Sequence, residues 1–163
     1  LFTNLRELDC KSATTALLDL TNLTNLTVDT IASNVVLTTL KKLHIRSSKT
    51  TEFLPNPHLE ELIIDSQLSS NIIPRLPAFK NLTRLQLYFP CTTSELSKVD
   101  PIVRMLLQMT KIQRLQLRRV EERYCGSLTR LSALTNLRIL QISGELTAEV
   151  KNTLTNIKHL DFI

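Results

Sequence analysis

Tryptophan is absent from the 163-residue chain, and glycine occurs only twice, at Gly126 and Gly144. A glycine-rich phosphate cradle needs several neighbouring residues without a Cβ, so that class of nucleotide site is excluded. Aromatic residues make up 4 % of the chain, too few for a row of stacking platforms along single-stranded nucleic acid. No apolar run reaches the ~18 residues of a membrane-spanning helix, and no basic start followed by an apolar stretch is present. The cysteines Cys10, Cys91 and Cys125 form no CxxC pair and no clustered cap. They read as reduced thiols of an intracellular protein, with a Cys91–Cys125 bridge as the alternative. His44, His58 and His159 are scattered, and no metal-ligand spacing is present. No residue is therefore assigned to catalysis, to a cofactor or to a metal, and the chain reads as non-enzymatic.

What the chain has in abundance is one short pattern, Leu-x-x-Leu-x-Leu with other apolar residues at some of its positions, which occurs eight times. Its copies begin at Leu5, Leu23, Leu40, Leu59, Leu82, Ile112, Leu137 and Ile157, in steps of 18, 17, 19, 23, 30, 25 and 20 residues. Asn4, Asn22, Asn81, Asn136 and Asn156 each stand immediately before a copy, as suits a turn entering a strand. Apolar residues alternate through the second half of each copy, so each predicts a short strand with one buried and one outward face. Eight such strands in parallel, at about 4.8 Å spacing, make a sheet about 34 Å across.

The segments between copies divide into two kinds. Ala13 to Thr21 and Ser47 to His58 are too short for a full returning helix, and Pro55 and Pro57 oppose one in the second, so extended chain or a single turn is expected. Asp100-Pro101 reads as an N-cap followed by Pro at the first helical position, leading Ile102, Val103, Leu106, Leu107 and Met109 along one face. A further turn or more of helix is expected ahead of it, over Ser94 to Val99. Ser127 to Leu134 places Leu128, Leu131 and Leu134 at helical spacing, facing the strands.

These eight copies resemble the leucine-rich repeat family across essentially the whole chain. The resemblance implies an α/β solenoid over residues 1–163, with a curved parallel sheet on its concave side and short helices, 3-10 turns and extended segments on the convex side. The ends of the sequence enter and leave inside a copy, which reads as a segment of a longer array or one covered by a capping segment. The family's common Asn three residues after the third apolar position is replaced here by Ala13, Ile31, Ser48, Gln67, Pro90, Val120 and Glu145. Irregular lengths and intervening helices are closer to the repeat portions of F-box proteins, or of NOD-like and plant immune receptors, than to regular extracellular arrays. By that resemblance the chain is a protein-binding module, as in the substrate-recognition part of an F-box-type ubiquitin ligase. The alternatives are a ligand-sensing or autoinhibitory region of an immune receptor, and an extracellular receptor fragment with glycan on Asn22, Asn25 or Asn81.

Strand alternation names the outward side chains. One row runs Glu7, Asn25, Lys42, Glu61, Arg84, Arg114, Ile139, His159; a second runs Asp9, Thr27, His44, Ile63, Gln86, Gln116, Gln141, Asp161. A third holds Lys11, Asp29, Arg46, Asp65, Tyr88, Arg118 and Ser143. The surface then shows a basic band at Lys42, His44 and Arg46 and an acidic band at Glu61 and Asp65. Beyond them lies a group of Arg84, Gln86, Tyr88, Arg114, Gln116 and Arg118, with Gln141 next to it. That last group is the preferred site for a protein ligand, since Arg and Tyr concentrate interface energy. The net charge of +5 and the cluster Arg114, Arg118, Arg119, Arg123 and Arg130 favour an acidic protein partner. Glu121 and Glu122 interrupt the cluster, which places nucleic acid behind protein as the expected ligand.

Overall fold

A computed structural model describes residues 4–32, 38–47, 56–67, 73–88, 96–121, 125–144 and 146–162. The repeated pattern forms eight strands: β1 (Glu7–Ala13), β2 (Asn25–Ile31), β3 (Lys42–Ile45), β4 (Glu61–Gln67), β5 (Arg84–Tyr88), β6 (Arg114–Val120), β7 (Ile139–Gly144) and β8 (His159–Phe162). They make one open, all-parallel sheet in the order β1 to β8, so each connection returns the chain to the same end, one strand further on. Every strand begins one residue before the second apolar position of its copy. The backbone explains this regular start, because a single carbonyl at the end of one turn accepts two N–H groups from the next. Arg6 O accepts from Thr24 and Asn25, Glu60 O from Thr83 and Arg84, and Thr83 O from Gln113 and Arg114.

The second and third apolar positions of β2 to β7 point to one side and are buried, with Leu62, Leu87, Leu117, Leu140 and Ile142 fully enclosed. The connections cover this side. They include three 3-10 segments, Thr15–Asp19, Ile73–Ala78 and Thr129–Ala133, and three α-helices, α1 (Leu96–Gln108), α2 (Cys125–Leu128) and α3 (Ala148–Thr153). Ile102, Val103, Leu106 and Met109 of α1 and its C-terminal turn are buried against the sheet residues, as are Leu128, Leu131 and Leu134, while Leu107 is half-buried. The expected α/β arrangement, with a parallel sheet and short helical connections, is therefore present. The short first return uses a single 3-10 segment; Pro55 and most of the Ser47 to His58 return lie outside the described residues.

Asp100 is not the N-cap, nor Pro101 the first helical position: the helix begins at Leu96, within the further turn expected over Ser94 to Val99, and Pro101 lies inside it. As the sixth residue it lies beyond the first turn, so its missing N–H removes one intrahelical hydrogen bond. Asp100 accepts instead from the hydroxyl of Ser127 at 2.8 Å, tying α1 to α2. Thr147 caps α3, accepting from the Val150 N–H at 3.5 Å.

Three of the asparagines that precede a copy stitch one turn to the one before it. Asn81 donates to the Pro57 carbonyl at 2.7 Å, Asn136 to Thr110 at 2.7 Å and Asn156 to Ser132 at 3.0 Å. Thr39 reaches Leu23 O in the same way at 2.7 Å. In two of the three sequons the threonine is engaged as well, Thr24 with Arg6 O and Thr83 with Glu60 O.

Asn56 is the buried polar residue among those described, 5 % exposed. It stands three residues before its copy, where other copies place Leu20, Phe79, Met109, Leu134 and Leu154. Its amide donates to Leu40 O at 3.0 Å and its carbonyl accepts from the His58 N–H at 2.8 Å. We expect Asn56→Ala to cost about 2 kcal/mol in urea unfolding, since both backbone groups lose a buried partner. Asn56→Leu, which restores the apolar volume of the other copies, should cost less; a larger loss for Leu than for Ala would refute this account.

Candidate binding face

The first two outward rows are in register across all eight strands, from Glu7 and Asp9 on β1 to His159 and Asp161 on β8. The third row is not continuous. The register shifts between Ile64 and Gln67 of β4, so Gln67 rather than Asp65 pairs with Tyr88. It shifts again between Leu117 and Val120 of β6, so Arg118 does not meet Ser143 and Val120 pairs with Gly144. Arg119 supplies the second irregularity with φ 58°, the left-handed region that a β-bulge uses to add a residue. Val120 stays buried while Arg118 and Arg119 are both exposed, and the Arg119 guanidinium lies 5.1 Å from the centre of the Tyr88 ring.

The basic and acidic bands interlock rather than standing apart. Arg46 donates through Nε to Asp29 at 2.8 Å and contacts both carboxylate oxygens of Asp9, joining three strands. The side-chain bond to Asp29, then that to Asp9, holds its guanidinium still further above neutrality than usual. Glu61 lies between Lys42 at 3.7 Å and Arg84 at 3.2 Å. Asp65 accepts from His44 Nε2, from the Gln86 amide at 2.8 Å and from Arg118 at 3.4 Å. Exposed pairs of this kind contribute roughly 0.2–1 kcal/mol each. Their larger effect is to fix where the long side chains lie and how much positive charge is left over.

The surface around the preferred group is shallow. Arg84, Gln86, Arg114, Gln116, Ile139 and Gln141 line a depression of about 10 Å³. A broader recess of about 370 Å³ lies over β1 to β4, bounded by Glu7, Asp9, Asn25, Lys42, His44 and Ile63. The basic band had marked only Lys42, His44 and Arg46 in this half. Glu7 and Asn25 are joined across β1 and β2 at 2.6 Å. Both belong to the outward rows, but a recess depends on side-chain lengths around it, which alternation does not encode.

Cys10 is a free, half-buried thiol. Burial, then the neighbouring Asp9 carboxylate, pushes its pKa up, so the unreactive protonated form is favoured at neutral pH. The proposed Cys91–Cys125 bridge concerns side chains outside the described residues. Among the described residues no group of three or more His, Cys, Asp and Glu side chains is placed to hold a metal, and no helix is long and apolar enough to cross a membrane. No protein-family model matches the chain, and no curated protein matches it.

Proposed function

We propose that this chain is a non-catalytic protein-binding segment of leucine-rich repeat type, whose outward sheet face is concave and receives a protein ligand. By the resemblance drawn from its sequence, the role is that of the substrate-recognition part of an F-box-type ubiquitin ligase. The observation that carries the reading is the pair of polar rows held in register across eight strands, on the face opposite every described helix and 3-10 segment. A rigid parallel sheet of this kind offers a broad, polar and largely pre-formed surface, suited to another protein rather than to an enclosed small molecule.

Site-specific photocross-linking in extract, using the full-length protein, tests it. A cross-linking residue at Gln116 or His44 is expected to trap a discrete protein, and one at Arg104, exposed on α1, is not. Trapping from Arg104 alone would move recognition to the helical side and sink the proposal.

A further inference from the structure

We propose that Arg114, with Gln116 beside it on β6, is the receptor for the carboxylates of an acidic stretch in the protein ligand; this rests on the reading of the outward face as the ligand-binding surface. Arg84 and Arg114 are direct neighbours in register on β5 and β6. Like charges in that position destabilise a sheet. Arg84 is relieved by Glu61, and Arg118, four residues further along β6 than Arg114, by Asp65. Arg114 is exposed and has no ion pair or hydrogen bond among the described residues. Its neighbour on β7 is the uncharged Ile139.

The second row repeats the situation with amides. Gln86 is turned to Asp65 and Gln141 to Asp161 at 3.4 Å, which leaves Gln116 between them without a partner among the described residues. A guanidinium and an amide, two residues apart on one strand, thus stand unpartnered in a sheet whose neighbouring cations have carboxylates. Arg84, Arg114 and Arg118 are three cations set against two acids, Glu61 and Asp65, which are taken up by Arg84 and Arg118. The excess positive charge lies at β6. The depression there, about 10 Å³, has no room to enclose a small molecule, so a carboxylate would lie over it rather than within it. A carboxylate delivered there by a larger ligand can take two hydrogen bonds from Arg114. It would also relieve the repulsion between Arg84 and Arg114.

The test uses the full-length protein and a labelled octapeptide alternating glutamate and serine, followed by fluorescence polarisation at low ionic strength. A lysine–serine octapeptide and a labelled RNA dodecamer are run beside it. The glutamate peptide should bind, the lysine peptide should not, Arg114→Gln should weaken binding about tenfold or more, and Arg104→Gln should leave it unchanged. Because Arg114→Gln also removes an unfavourable neighbour, its thermal midpoint should rise by about 1–3 °C. Equal binding by Arg114→Gln, a lowered midpoint, or tighter binding of the RNA would each overturn the assignment. Absence of peptide binding while Gln116 still cross-links a protein would overturn it and leave the broader reading standing. Loss of both would remove the two together.

Discussion

Replacing Gly144 with alanine is expected to cost about 3–5 kcal/mol, and replacing Gly126 with alanine to cost nothing. The same methyl group is added in both cases; its surroundings decide the sign. At Gly144 the backbone has φ +138°, a conformation that side chains rarely adopt. A Cβ there would lie 1.9 Å from the Val120 carbonyl oxygen and 2.8 Å from its carbon. Those atoms belong to the backbone of β6, at the bulged end where Val120 pairs with Gly144, so no side chain can swing aside. Backbone strain alone accounts for about 1–3 kcal/mol, and separation of the strand ends accounts for the rest. Gly126 has nothing within 4 Å of its would-be Cβ and lies in α2, where alanine is favoured by up to about 1 kcal/mol. Urea unfolding of both variants, followed by circular dichroism, provides the comparison. Equal midpoints would mean that β6 and β7 do not close upon each other at that end.

The contrast also marks where the sequence was informative. The apolar pattern located all eight strands, their inward residues and two outward rows, because an alternation of two leaves no freedom once one face must be buried. It also anticipated the helical core residues Leu128, Leu131 and Leu134. The bulges were not legible: Arg119, which holds the left-handed conformation in β6, is a residue type that gives no warning of it. Nor did a row-by-row reading show that Glu61 serves cations on both flanking strands, or that Asp65 gathers His44 from β3, Gln86 from β5 and Arg118 from β6, two strands away. That depends on side-chain reach across strands, whereas alternation specifies only the face. The motif Asp100-Pro101 misled about the cap because its local chemistry suits a helix start, whereas the helix begins at Leu96, in the added turn expected over Ser94 to Val99, and extends through it. Asn56 carried a signal that was available, since the equivalent position in all seven other copies is apolar.

Truncating Leu62 to alanine should be as damaging as the change at Gly144, by a different route. Leu62 is fully buried near the middle of the sheet and pairs in register with Leu43 on β3 and Leu85 on β5. Removing its side-chain carbons leaves a cavity as well as losing their transfer from water, and such changes cost about 3–5 kcal/mol. Leu8 occupies the same position of its copy on β1, yet it is only partly buried and the strand pairing shown for it is with β2 alone. Leu8→Ala should therefore cost about 1–2 kcal/mol, scaled down with the smaller buried area. The two variants should also differ in cooperativity. Contacts between strands run from each to its sequence neighbours, so stability is passed along the stack through successive interfaces. A defect in β4 weakens the link between the two halves, and the urea dependence of unfolding should become shallower as the halves begin to melt separately. A defect in β1 should shift the midpoint without changing that slope. If both variants lose equal stability with unchanged slopes, the sheet melts as one indivisible unit, and the nearest-neighbour account of its stability is wrong.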